Sequence, residues 1–292
     1  MRRAPFAILA GMGLTVLAGL TAVLFPPMRD AIGITVPGAS DLAASEALFD
    51  RALDGGTAAT QQRYSQPAGL TVLPMDQLWQ GTLLKEPDGQ CEGLGIYLVR
   101  EPHTAVSLAL TAPHRGADLH TGTLAAQLFT ESNAAAAAWN SAPRRPTSDC
   151  PSAIDLARAG DHPFTIFALA FAKRHPQGRI VQLHGFDRAR RRDAASSEAS
   201  IIVSNGTSSP DKRLLDLADC LSLAFNPLPV RVFPLETSEL GALSNAQGSA
   251  LRDAGFDGFV HLEMAVDLRL ALTRDAQLRA KLLGCLVTGL RG

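Results

Sequence analysis

The sequence has no excess of either charge. Lysine and arginine number 27 against 28 aspartates and glutamates in 292 residues, a formal net charge of −1. That balance gives no electrostatic reason to expect nucleic acid as a partner. The one basic cluster, DRARRRD at 187–193, is short, is flanked by acids and reads as a solvated loop. Cysteine is sparse and scattered, at Cys91, Cys150, Cys220 and Cys285, with no C-x-x-C pair, which argues against a zinc ribbon. An exported body would permit disulfides; three pairings are open, and buried free thiols are the equal alternative. There is no G-x-S-x-G elbow, no P-loop and no G-x-G-x-x-G turn, so a serine hydrolase on an α/β sheet lacks its nucleophile motif. No internal repeat is visible. Aromatics are only 5% of the chain, yet hydrophobic residues reach 46%, enough for a sizeable core in one large domain or two small ones.

Long apolar runs are confined to the start. MRR is followed by APFAILAGMGLTVLAGLTAVLF, residues 4–25. About 20 apolar residues span a bilayer as a helix, and arginines before the run favour a cytoplasmic N-terminus. An uncleaved signal anchor over 1–25 is expected, with a cleaved signal peptide as the alternative. The body then faces the periplasm from the inner membrane, or is secreted or periplasmic if cleavage occurs. Residues 26–69, rich in Gly, Ala, Pro and Thr, read as a linker or loosely ordered segment, and the domain is expected over 70–292. The sequon at Asn205 reads as a turn.

From residue 94 strand and helix patterns alternate. Strands are expected at 94–100, 104–112, 178–186, 199–206, 230–235 and 257–264, and helices at 123–132, 162–176, 211–225 and 266–287. AAAAAW at 134–139 is ambiguous: alanine favours helix, but its place between two helices suits a small-residue strand. This order argues an α/β domain with a mixed, mostly parallel central sheet flanked by helices.

Sites in such folds collect at the carboxyl ends of strands. His114 lies just past one strand, in TAPHRGADLHTG at 111–122; His184 and Glu263 lie at the ends of two others. His114, Asp118 and His184 could supply the three protein ligands of a catalytic zinc ion. Glu263 sits in the apolar stretch GFVHLEM, where an unpaired carboxylate is costly, so a cation or a water held by one is expected nearby. It is the candidate general base. His261, two residues earlier, points to the same face and is a candidate supporting group or transition-state donor. Paired with Arg269, Glu263 would instead be structural.

APHRGADLHTGTLAAQLF, RIVQLHGF and FVHLEMAVDLR together resemble the zinc-carboxypeptidase-like superfamily over roughly residues 94–287. The likeness is closest to its N-formylglutamate amidohydrolase-like and poly-γ-glutamate hydrolase-like branches. The resemblance implies one Zn²⁺ held by His114, an acidic residue and His184, with Glu263 as catalytic base and Arg269 at a helix start. Position 117, where metallocarboxypeptidases carry glutamate, is alanine, so Asp118 and His120 stand as alternatives for the second ligand. A substrate carboxylate calls for an arginine fork. WNSAPRR at 139–145 offers Arg144 first, with Asn140 and Arg145, where relatives use an Asn-Arg pair; Arg115 reads as an exposed loop residue. The expected activity is zinc-dependent hydrolysis of an amide near a carboxylate, in a glutamyl peptide, an N-acyl amino acid or a cell-wall fragment. The expected partner is such a small molecule or peptide, with the membrane engaged through the N-terminal helix. The alternative is a non-catalytic envelope binding or scaffold protein on the same fold.

Overall fold

The computed structural model describes residues 37–76 and 79–290; the run at 4–25, and with it the expected anchor or signal peptide, lies outside the described residues. Among the described residues no helix is long and apolar enough to cross a membrane. In chain order the elements are α1 (Ala39–Leu53), α2 (Ala58–Ser65), β1 (Thr71–Met75), β2 (Gly81–Lys85), β3 (Ile96–Arg100), β4 (Val106–Ala112), α3 (Thr121–Thr130) and β5 (Ala134–Trp139). These are followed by α4 (Pro163–Arg174), β6 (Arg179–Phe186), α5 (Ala194–Glu198), β7 (Ile201–Ser204), α6 (Lys212–Ala224), β8 (Val230–Val232), α7 (Ala246–Asp253), β9 (Phe259–Ala265), α8 (Val266–Arg274) and α9 (Ala276–Val287).

The nine strands of the described residues form one sheet in the order β1-β2-β3-β5-β4-β6-β9-β7-β8. The expectation of a mostly parallel sheet needs correction. The central strands β5, β4, β6 and β9 run parallel, as do β7 and β8, but β1, β2, β3 and β5 pair antiparallel in turn and so do β9 and β7. Parallel pairs need long crossovers, whereas the short β1–β2–β3 connections fit hairpins.

Both faces of the central strands are covered, which is why β4 and β6 read as nearly continuous apolar runs. One face carries α3, α6, α8 and α9 over Val181, Leu183, Val260 and Leu262. The other carries α1 and α4 over Ile180 and Phe259, with Phe49, Tyr97 and Phe167 in mutual ring contact. The alanine run is β5, a strand. Ala134 and Ala137 meet the first cluster, Ala136 and Ala138 the second, and position in the sheet outweighs alanine's helix preference.

Two other expectations change. The segment read as linker contains α1, which buries Leu48, Phe49, Ala52 and Leu53 in the core, and α2. The single helix expected at 266–287 is two helices, because Asp275 adopts an extended conformation and its carboxylate accepts from the amides of Gln277 and Leu278, capping α9. The four cysteines form two disulfides, Cys91–Cys150 and Cys220–Cys285. The first ties the β2–β3 connection to the β5–α4 connection; the second ties α6 to α9.

Candidate metal centre

Chain direction places the site. β4 leads into α3 on one face of the sheet and the adjacent β5 leads towards α4 on the other, so a crevice opens at their carboxyl ends. His114 lies in the turn just after β4. β6 and β9 pair with His184 opposite Glu263 and Gln182 opposite His261. Alternation along each strand puts all four on one face, giving a polar stripe at this end of an otherwise apolar sheet.

His114, Asp118 and His184 converge, as do His184, His261 and Glu263: within each trio the ligand-type atoms lie within 4.8 Å of one another. The turn after β4 is folded by the amides of Ala117 and Asp118, both donating to the His114 carbonyl. It brings Asp118 Oδ2 to 3.5 Å from His114 Nδ1 and 3.1 Å from His184 Nδ1. The Gly185 amide donates to the same oxygen at 3.2 Å. The other nitrogen of each imidazole is engaged outside the cluster. His114 Nε2 lies 2.7 Å from Asp155 Oδ1, and His184 Nε2 lies 2.9 Å from Gln182 Oε1. A carboxylate only accepts, so a hydrogen shared with Asp155 belongs to His114 Nε2 and one shared with Asp118 belongs to Nδ1, the place that a cation would take.

Burial alone would raise the Asp118 pKa, but the hydrogen bonds from His114 and His184 outweigh it and hold the carboxyl well below its usual range. Glu263 behaves oppositely: burial first, then the charge of Asp118, push it up to about 8 against the pull of Arg269. Burial, reinforced by His184, lowers the pKa of His261. His261 Nδ1, Glu263 Oε2 and Arg269 Nε are buried without hydrogen-bond partners. Arg269 is fixed by a 2.6 Å bond from Nη1 to the Leu119 carbonyl, and its guanidinium lies so close to Gly185 that a Cβ there would sit 2.0 Å from Nη1.

The remaining expected residues divide. Arg144 lines the crevice and pairs with Asp155, its Nη2 2.7 Å from Oδ2. Arg145 lines an adjoining cavity of about 920 Å³ with Arg144 and Arg190, the last from the cluster read as a solvated loop. Asn140 is a correction as a substrate contact. Its Oδ1 accepts from the Arg115 amide at 2.8 Å and its Nδ2 donates to the Ala142 carbonyl at 2.6 Å, so the buried side chain braces two loops. His120 is the N-cap of α3, with a left-handed φ of 76°, and is not in either converging trio. Asp155 was missed. It lies 41 residues beyond His114 in an aperiodic loop, in the stretch SAIDLAR, where no neighbouring residue signals a partner for a histidine. A smaller cavity of about 270 Å³ is lined by His114, His184, His261, Glu263, Arg144 and Asp155, among others.

Two imidazole nitrogens and a carboxylate oxygen, with a neighbouring open space, match the donor set of a catalytic divalent-cation site. The two Nδ1 atoms around one carboxylate oxygen call for positive charge between them, and the orphaned Nδ1 of His261 and Oε2 of Glu263 leave further polar atoms facing that neighbourhood.

No family model and no curated protein matches the sequence. Among solved structures, the chain is similar to a metallo-carboxypeptidase from Burkholderia cenocepacia, at 10% identity over 78% of this chain and 68% of that one, with a TM-score of 0.40. It is also similar to a candidate metallopeptidase from Shewanella amazonensis SB2B, at 10% identity over 76% of this chain and 88% of that one, with a TM-score of 0.38. A candidate metallopeptidase from Shewanella denitrificans OS217 is similar at 11% identity over 89% and 97% of the two chains, with a TM-score of 0.38.

Proposed function

We propose that this chain is a zinc-dependent hydrolase that cleaves an amide bond near a carboxylate, in a glutamyl peptide, an N-acyl amino acid or a cell-wall fragment. The observation that carries the reading is the convergence of His114 Nδ1, His184 Nδ1 and Asp118 Oδ2. These three would hold the metal. Asp155 orients His114 from behind, as carboxylates do for metal-bound histidines. Once bound, the ion supplies Lewis acidity to a carbonyl and lowers the pKa of a water.

The chain's own groups do the rest. Glu263 Oε2 takes the proton of the attacking water and returns it to the leaving amine; burial raises its carboxyl pKa, which favours holding the proton between the two transfers. His261, held neutral by burial, is placed to steady the oxygen on which charge develops. Arg144, kept in the crevice by Asp155, binds the substrate carboxylate, and Arg145 extends that cationic wall.

An exported body, anchored or free in the periplasm, is part of the proposal; two disulfides and no free cysteine support an oxidising compartment. Elemental mass spectrometry of the purified chain, with and without supplied zinc, tests the reading alongside assays on γ-glutamyl peptides and N-acyl amino acids. One zinc per chain with turnover is the expected result. Folded protein that takes up no zinc defeats it, and stoichiometric zinc without turnover of any such amide makes the chain a binding protein.

A further inference from the structure

Two acidic residues at the rim of the crevice have no part in the metal reading, yet each accepts several hydrogen bonds. Asp193 lies in the segment that leaves β6 and enters α5; Glu239 lies between β8 and α7. Asp193 Oδ2 accepts from Thr237 Oγ1 at 2.7 Å, from the Ser238 amide at 2.8 Å and from Ser238 Oγ at 3.2 Å. Glu239 Oε2 accepts from the Arg192 amide at 2.8 Å, from the Asp193 amide at 3.2 Å and from Ser196 Oγ at 2.9 Å. Each segment thus lends a carboxylate to the donors of the other. Bonds to an ionised acceptor are the stronger kind, and these join residues 43 to 47 apart in the chain.

The second segment is the one that needs holding. Directly after Glu239, Leu240 and Ala242 take left-handed backbone, with φ of 63° and 54°. Residues with a Cβ rarely adopt it, and it lasts only where the surroundings impose it. Gly241, between them, is pressed against Phe233: a Cβ there would come within 2.3 Å of the ring. Ser204 Oγ donates to the Gly241 carbonyl at 2.8 Å, and the Asn245 amide donates to the Ala242 carbonyl at 3.0 Å. This path has a use. Leu240, Ala242, Ser244 and Asn245 form one wall of the cavity of about 270 Å³ that His261 and Glu263 also line. The first segment carries Arg190 to the adjoining cavity.

We propose that Asp193 and Glu239 are positioning residues, a reciprocal clasp that fixes the Leu240–Asn245 wall in its left-handed path and so presents a preformed crevice to the substrate. Without the clasp the loop relaxes out of that path, and a ligand must restore it at an entropic cost. The clasp hangs the wall on the segment that runs on from His184, so the end of β6 and the wall beside Glu263 keep one spacing. Its parts can be separated by substitution. Glu239 makes its three bonds through Oε2, while Oε1 faces Arg191 Nη1 at 3.5 Å. Glutamine keeps an oxygen for all three donors; alanine removes it. Asp193 is left intact because its other oxygen caps α5.

The clasp stands apart from the hydrolase reading; only its effect on substrate affinity rests on it. Amide hydrogen exchange of the whole chain at neutral pH is compared in wild type, Glu239→Gln and Glu239→Ala. In Glu239→Ala the Ser238 and Asn245 amides should exchange about tenfold faster or more, the scale of one lost charge-assisted bond, while Leu262 in β9 keeps its wild-type rate. Glu239→Gln should match wild type. Unchanged exchange at Asn245 in Glu239→Ala, or equal loosening in Glu239→Gln, overturns the proposal. With an amide substrate that wild type turns over, KM should rise about tenfold in Glu239→Ala with kcat within about twofold, and glutamine should restore it. A fall in kcat with KM unchanged overturns the positioning role. Loosening at Asn245 as expected, in a chain whose wild type turns over no amide, upholds the clasp and overturns the hydrolase reading. If Glu239→Ala does not fold, Thr237→Val, which removes a donor to Asp193 and keeps the side chain's shape, takes its place with the same outcomes.

Discussion

Replacing Glu263 by glutamine keeps the shape of its side chain and removes its basicity. Metal content should be unchanged while turnover of a γ-glutamyl or N-acyl substrate falls about 10²- to 10⁴-fold, the usual share of a general base. Elemental analysis and a rate on the same preparation check both halves. His184→Ala and Asp118→Ala should instead lose the zinc, whereas His120→Ala should retain it. Gly185 makes a different demand. With Arg269 Nη1 only 2.0 Å from where a Cβ would lie, Gly185→Ala must displace a guanidinium or the strand. It should cost about 1–3 kcal/mol in a denaturant titration, the range for overpacking. At this scale much of the centre is legible in the sequence, because period two along a strand puts residues 182 and 184, or 261 and 263, on one face without knowledge of the fold. Asp155 is not legible, because a carboxylate in an aperiodic loop acquires its role from a neighbour far away in the chain.

The helix α4 begins with an unusual cap. His162 Nδ1 accepts from the Phe164 amide at 3.0 Å, so the ring must be neutral with a free lone pair on that atom, and Pro163 occupies the first helical position. Burial, opposed by a hydrogen bond to Gly93, lowers the His162 pKa to about 4. Between that value and the ordinary 6.5 the unfolded chain binds the proton and the folded chain does not, so stability rises with pH through this window. The stability tied to this ring is complete above about pH 6.5 and falls by about 3 kcal/mol as pH drops towards 4, chiefly because a charged ring is costly in its buried place. Thermal melts across the window should show a shallower acid decline for His162→Asn, which caps without titrating, than for wild type. The element scale also shows why sequence patterns misled. Alanine repeats carry no period, so β5 is decided by its place between β3 and β4. α1 buries residues at helical spacing, 48, 49, 52 and 53, but the glycine, proline and alanine around it mask the stripe. The break at Asp275 depends on one capping aspartate inside an otherwise continuous apolar pattern.

Across the molecule the two disulfides do different work. Cys91–Cys150 closes onto the connection that carries Arg144 and Asp155, while Cys220–Cys285 fastens two helices on the opposite face from α4. Removing either pair should cost about 2–5 kcal/mol. Only Cys91→Ser with Cys150→Ser should also weaken zinc binding, because Asp155 then loses its tether behind His114; Cys220→Ser with Cys285→Ser should leave the affinity unchanged. Chelator competition beside a denaturant titration separates the two effects. The alternation of strand and helix makes the α/β class legible, but cysteine pairing and the antiparallel flank are settled by long-range geometry.

The last strand in the chain, β9, does not lie at an edge of the sheet; it fills the slot between β6 and β7 and brings in His261 and Glu263. During synthesis the ribosome releases β6, β7 and β8 before the strand that joins them. Until residue 265 has emerged the sheet is two separate pieces with open edges, and Glu263 cannot meet His184. Glu263 therefore reaches its place beside His184 in the same step that closes the sheet.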